Sequence, residues 1–194
     1  LAVGNDLVAN EIYMNNNGVL ENNASWNSGD FDRTTNVDWG DIDSDGDLDL
    51  AVGNFQGVNK VYLNINGVLQ TNVDTPWTSN TVDNTNTIAL GDVDGDGDLD
   101  LAVGNLGVNR IYLNIDGTFQ ENPWASEGAN DTTSIAWGDV DGDGDLDLAF
   151  GDREEPKKVF QNTNGILKTN DTSTWPSSDT DHTTGVAWGD LDLD

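Results

Sequence analysis

Three loops in this chain place an aspartate at every second residue. The first carries Asp41, Asp43, Asp45, Asp47 and Asp49 around Gly46. The second carries Asp92, Asp94, Asp96, Asp98 and Asp100 around Gly97, and the third Asp139, Asp141, Asp143, Asp145 and Asp147 around Gly144. Counted from the first aspartate, side-chain carboxylates stand at positions 1, 3, 5 and 9, with glycine at position 6. Alternate side chains of a tightly wound segment converge on one point, and the glycine permits the turn that brings position 9 back. Position 7 offers its backbone carbonyl. Carboxylates this close repel one another strongly unless a cation sits between them. An all-oxygen set of this size suits Ca²⁺, which takes six to eight ligands at about 2.3–2.6 Å. Mg²⁺ is the second choice, and the lack of nitrogen and sulfur donors argues against zinc and copper. An EF-hand would need a bidentate glutamate at position 12, where Val52, Val103 and Phe150 stand instead.

The loops recur with the chain around them. Their copies begin at Gly40, Gly91, Gly138 and Gly189, spaced 51, 47 and 51 residues apart. The fourth copy stops at Asp190, Asp192 and Asp194, lacking the position-6 glycine and the position-9 aspartate, and predicts a partial site. Each copy predicts a first strand before the loop (Thr35–Trp39, Thr87–Leu90, Ser134–Trp137, Gly185–Trp188). A second follows it (Leu48–Val52, Leu99–Val103, Leu146–Phe150), then a third (Glu11–Asn15, Lys60–Asn64, Arg110–Asn114, Lys158–Asn162). Asn17-Gly18, Asn66-Gly67, Asp116-Gly117 and Asn164-Gly165 then predict type I′ hairpin turns leading into a short fourth strand such as Val68-Leu69-Gln70. A polar stretch with a tryptophan comes next: Trp26, Trp77, Trp124 or Trp175. No helical periodicity is evident. The fold class is all-β: four antiparallel strands per unit of about fifty residues, the arithmetic of a β-propeller blade. Residues 1–194 form a single array, with repeats near 1–49, 50–100, 101–147 and 148–194.

The core DxDxDGDLD followed by LAVGN or LAFGD resembles the integrin-α-type FG-GAP repeat and its bacterial relative, the VCBS repeat. The resemblance covers nearly the whole chain. It implies that each repeat is a propeller blade whose Asp loop joins the first two strands and binds Ca²⁺. The family usually builds seven blades and occurs in adhesion receptors, surface proteins and secreted enzymes. The chain opens on a second-strand match at Leu1-Ala2-Val3-Gly4-Asn5 and closes on a first-strand match. The favoured reading is a segment of a larger propeller. A closed four-bladed ring and an open filament, in which one subunit's last strand completes the next subunit's blade, are the alternatives.

Composition narrows the function. A net charge of −29, from 36 acidic against 7 basic residues, opposes binding to nucleic acid. The absence of cysteine excludes disulfides, a thiolate nucleophile and zinc-thiolate sites. No apolar run approaches the ~18 residues of a membrane span. No leader is visible before Leu1, where the sequence starts inside a repeat. The single histidine, His182, lies in a polar linker and reads as surface rather than catalytic. The first reading is therefore a non-catalytic, extracellular calcium-binding module for adhesion or for a protein or glycan ligand. Its calcium would be structural and its ligand loops Asn54–Asn59, Asn105–Asn109 and Asp152–Lys157. The second is part of a secreted polysaccharide-active enzyme, and the third a self-associating filament or surface-layer protein. The tryptophans read first as blade packing and second as a sugar platform. Asn23, Asn130 and Asn170 head Asn-x-Ser/Thr acceptor sequences for glycans.

Overall fold

The computed structural model describes residues 1–71, 77–128, 130–168 and 179–189. All regular structure among them is β-strand, and the strands form propeller-like units. The first complete unit pairs Thr34–Gly40, Asp49–Gly57, Lys60–Tyr62 and Trp77–Thr78 in that order, all antiparallel. The second repeats it with Asp83–Gly91, Asp100–Gly107, Arg110–Tyr112 and Trp124–Ala125. The third holds Asn130–Gly138, Asp147–Asp152 and Lys158–Phe160; Trp175 lies outside the described residues. A leading unit holds only Ala2–Val3, Glu11–Ile12 and Trp26–Asn27, the counterparts of strands two to four. Among the described residues no closed ring is formed.

Three expectations are corrected. The fourth strand is the tryptophan segment, not Val68-Leu69-Gln70. Trp77 pairs with Val61, and Trp124 with Ile111. The Asn-Gly turn instead closes a separate two-stranded ribbon, Asn64–Ile65 with Val68–Leu69, and its counterparts recur in every unit. The turn itself is as expected, with φ of 54° at Asn66 and 82° at Gly67. The physical reason is reach. The ribbon reverses after two residues, whereas a tryptophan paired with strand three packs on the neighbouring unit. Trp26 meets Tyr62 edge-on at 5.4 Å, Trp77 meets Tyr112 at 4.9 Å and Trp124 meets Phe160 at 5.7 Å.

Second, strand two runs on to Gly57 and Gly107, through most of the expected ligand loops. What remains is a tight connection held by buried asparagines. Asn59 Oδ1 accepts from the Asn54 amide at 2.9 Å, and Asn109 Oδ1 from the Asn105 amide at 2.8 Å. Third, Gly185–Trp188 is not hydrogen-bonded as a strand. In the complete units the first strand is held along its length by the second strand of its own copy, and residues 190–194, which follow Gly185–Trp188, lie outside the described residues.

Each first strand also bridges units. Asn84 pairs with Phe55, and Asp131 with Leu106. The approach is close because strand two carries glycine there. A Cβ on Gly53 would lie 2.8 Å from Ile88 Cγ2, and one on Gly104 would lie 2.6 Å from Thr87 Cγ2 and 2.8 Å from Thr132 Cγ2. The cores consequently lie between units. Ile42, Ala51 and Val61 of the first pack with Ile88, Leu101, Val103, Tyr112 and Phe119 of the second. Val93, Ala102 and Ile111 of the second pack likewise with Ile135, Leu148, Phe150 and Phe160 of the third. At about 1.5–3 kcal/mol per buried large side chain, one unit alone forfeits most of its core. Trp137 and Trp188 lie over Gly91 and Gly138, which favours the packing role expected of the tryptophans.

The ribbons couple the first two Asp loops to the next unit. A Cβ on Gly165 would lie 2.8 Å from Asp94 Cβ, while one on Gly67 would meet nothing within 4 Å. Both glycines have positive φ, 78° and 82°, so alanine strains both turns equally. Gly165→Ala is therefore expected to destabilise by about 1 kcal/mol more than Gly67→Ala, from the added contact alone. Urea midpoints of the two variants check this.

Candidate metal centre

The three loops gather their carboxylates as ion sites do. Oxygens of Asp41, Asp43 and Asp45 lie within 4.8 Å of one another, as do those of Asp92, Asp94 and Asp96, and those of Asp139, Asp141 and Asp147. The backbone enforces this. Gly46, Gly97 and Gly144 adopt φ of 95°, 98° and 95°, and their amides donate to the position-1 carboxylate at 3.0–3.1 Å. Position 4 is also left-handed, at Ser44 (58°), Gly95 (73°) and Gly142 (74°), a requirement that a single copy of the motif conceals. Asp41 Oδ1, Asp43 Oδ1 and Asp94 Oδ1 are buried and have no hydrogen-bond partner. Such orphaned anionic oxygens are expensive to bury unless something positive meets them. The donor set is oxygen only and fits a hard divalent cation.

Position 9 has a further job. Asp49, Asp100 and Asp147 are fully buried. Asp100 Oδ2 accepts from the Val93 amide at 2.8 Å and Oδ1 from the Asn114 amide at 2.7 Å. Asp49 holds Ile42 and Asn64 in the same way, and Asp147 holds Val140 and Asn162. Each oxygen keeps a lone pair for a cation, but its first role is to tie the loop to strand three. Asp49 and Asp100 stand outside the three-carboxylate clusters of their loops. At position 7, the side chains of Asp98 and Asp145 cap the ribbon turns, accepting from the Asp116 amide at 2.6 Å and the Asn164 amide at 2.7 Å. The carboxylates of Asp47 and Asp143 are likewise outside the clusters. Asp190, Asp192 and Asp194 lie outside the described residues.

The loop-to-strand period that repeats this geometry is also what a family model recognises. The FG-GAP-like repeat matches residues 41–103 and 92–150. The chain belongs to the FG-GAP-like repeat family. No curated protein matches it. Each of the two FG-GAP-like matches runs from the start of one Asp loop, through the whole of the next Asp loop, into the second strand that follows it.

Electrostatics in these FG-GAP-like loops follow from crowding. Burial first, and then neighbouring aspartates, push the Asp43 and Asp94 carboxyls above the ordinary range. Burial likewise raises Asp49 and pushes Asp100 up to about 6, against its two amide donors. The first two loops are half covered because the ribbon of the next unit lies on them, with Gly117 over Asp43 and Gly165 over Asp94. Asp141, at the same position of the third loop, is exposed.

Other candidates look different. His182 is exposed, and its Nε2 accepts from Arg153 Nε at 2.7 Å. Asn130 is half-buried at the start of a first strand with its Oδ1 held by Lys158 at 2.8 Å, so it is poorly placed for a glycan. Asn23 is exposed, and Asn170 lies outside the described residues. Among the described residues, no helix is long and apolar enough to cross a membrane.

Proposed function

We propose that this chain is an extracellular, non-catalytic module in which structural Ca²⁺ stiffens a propeller-like array that presents surfaces for adhesion or for a protein or glycan ligand. The observation that carries the calcium reading is the set of buried, partnerless oxygens on Asp41, Asp43 and Asp94, each inside a three-carboxylate cluster. Asp41, Asp43 and Asp45, then Asp92, Asp94 and Asp96, and then Asp139, Asp141 and Asp147 would hold the ions. Asp49 and Asp100 would support their loops, and the carbonyls of Asp47, Asp98 and Asp145 would complete the sets. A bound ion removes the repulsion within each loop and holds the surface that the next ribbon rests on. The remaining expectations belong to the same reading: a segment of a larger, seven-bladed propeller, with the protruding Asp152–Lys157 connection as the ligand-facing loop. Calorimetric titration with CaCl₂ tests the reading. About three equivalents should bind, one fewer in Asp94→Ala; an absence of binding would sink it.

Protons should compete with the ion. The raised Asp43 and Asp94 carboxyls take up protons at a higher pH than ordinary aspartates, so calcium affinity should fall as pH drops from 7 towards 5. Without metal the dependence reverses. Burial pushes the folded Asp100 carboxyl up to about 6, against an ordinary aspartate value of 3.8. Its folded form therefore holds the proton more tightly, and that stabilisation is lost as pH rises from about 4 through 6. Melting curves at pH 5 and 7, with EGTA and with CaCl₂, should show opposite trends.

A further inference from the structure

One chain of buried hydrogen bonds runs through all three Asp loops. It starts in the third unit, where Asp147 Oδ1 accepts from the Asn162 amide at 2.8 Å. The Asn162 side chain then leaves its own unit, and its Nδ2 donates to Val93 O of the second loop at 2.5 Å. Val93 N donates in turn to Asp100 Oδ2 at 2.8 Å, and Asp100 Oδ1 accepts from the Asn114 amide at 2.7 Å. Asn114 repeats the step. Its Nδ2 donates to Ile42 O of the first loop at 2.8 Å, and Ile42 N donates to Asp49 Oδ2 at 2.8 Å. The two bonds that cross between units join residues 69 and 72 apart in the sequence.

Three features suit this chain to couple the loops. It is dry: Asp49, Asp100, Asp147, Asn114 and Asn162 are 0% exposed, and Ile42 and Val93 are 1% and 2%. Hydrogen bonds in such an interior are stronger than in water, and a group that loses its partner there gains no water in exchange. Second, each link enters its loop between two cluster members. Ile42 stands between Asp41 and Asp43, and Val93 between Asp92 and Asp94. A cation held by those carboxylates fixes the peptide groups between them, and with them the carbonyl that the asparagine reaches. Third, each side chain serves two loops at once. Asn114 Nδ2 also donates to Leu99 O of its own loop, and Asn162 Nδ2 to Leu146 O, both at 3.1 Å. The Oδ1 atoms of both are buried and have no partner. Burying a carboxamide with an orphaned oxygen is costly, and an apolar side chain would fill the space without that cost.

We infer that Asn114 and Asn162 are positioning residues that couple neighbouring cation sites, so that filling one loop tightens the next. Asn114 joins the first site to the second, and Asn162 the second to the third. The first and third communicate only through the second. The inference rests on the cation reading of the loops and adds the linkage between them. An empty loop, with its carboxylates in mutual repulsion, holds its position-2 peptide loosely, and the neighbour's asparagine with it. A filled loop presents that asparagine already placed. The coupling is a free energy shared by two sites, so it acts equally in both directions. A second route lies at the surface, where Asp98 caps the Asp116 amide at 2.6 Å and Gly117 lies over Asp43. That cap is exposed to water and is the weaker of the two.

Calcium titration of the isotope-labelled chain, read by NMR at the backbone amides of Gly46, Gly97 and Gly144, tests this. Each of these amides donates to the position-1 carboxylate of its own loop, so the three sites are read separately. Asp96→Ala disables the second loop, and should raise the half-saturating calcium of the first and third by about fivefold or more. Against an Asn114→Ala background, Asp96→Ala should no longer move the Gly46 midpoint but should still move that of Gly144. Asn162→Ala should give the reverse. Asn64→Ala is the control. Among the described residues Asn64 Nδ2 donates only to Leu48 O of its own loop, at 3.1 Å, so both couplings should survive its loss. One reading needs no substitution in the core. In Asp96→Ala the side-chain NH₂ signals of Asn114 should still move in step with Gly46, although Asn114 belongs to the second unit.

First-loop and third-loop midpoints that ignore Asp96→Ala would overturn the inference. So would a Gly46 midpoint that still responds after Asn114→Ala, or Asn114 NH₂ signals indifferent to the first loop. Glycine amides that calcium never moves would refute the cation reading itself and the inference with it, a result distinct from three midpoints that move independently.

Discussion

Excess EGTA is expected to lower the melting temperature of the intact chain at neutral pH by on the order of 10–20 °C. Each site held at a hundredfold excess over its dissociation constant contributes about 2.7 kcal/mol to the folded state, and 1 kcal/mol moves the midpoint of a chain this size by roughly 2–4 °C. Three sites would exceed the stated shift if they acted independently. They share unit junctions, so part of the effect is counted twice. The removal also uncovers repulsion inside loops that belong to a chain of net charge −29. The third loop is exposed and should empty first, whereas the first two lie under Gly117 and Gly165 of the following ribbons. A midpoint that EGTA leaves unmoved would remove structural calcium from the account.

Asp100→Ala is expected to destabilise the chain by about 3–4 kcal/mol even in EGTA, because two buried amides, those of Val93 and Asn114, lose their acceptor together. Asp100→Asn should rescue little, since its NH₂ would face one of those amides. Asp96→Ala makes the useful contrast. Asp96 is exposed and belongs to the second cluster. Its loss should cost under about 1 kcal/mol without metal, yet abolish one calcium equivalent. Urea denaturation in EGTA, paired with calcium titration, separates the two roles. Equal losses for Asp96→Ala and Asp100→Ala in EGTA would show that position 9 acts only through the ion.

Much of the candidate site could be read from the chain because its determinants are local. A loop of alternating aspartates with glycine at position 6 has few ways to wind, and its carboxylates cluster at positions 1 and 3 in each of the three described loops. The third member is position 5 in two loops and position 9 in the other, which spacing cannot decide. The two-amide grip on Asp49, Asp100 and Asp147 was not legible either. It depends on where Asn64, Asn114 and Asn162 of strand three arrive, fifteen residues away in the first loop. The ribbon turns were legible because Asn-Gly and Asp-Gly tolerate positive φ wherever they occur. The strand after the ribbon was not, because Trp77 and Val68 are both apolar and only long-range packing ranks them.

The sequence by itself determined the period, the all-β units, the hairpin turns and the anionic loops, since each follows from steric and electrostatic preferences within a dozen residues. Tertiary structure alone decided which segment closes the complete units, that the cores lie between units, and that the first two Asp loops support the neighbours that cover them. Those outcomes depend on which surfaces meet, and side chains fifty residues apart carry no local mark of their pairing.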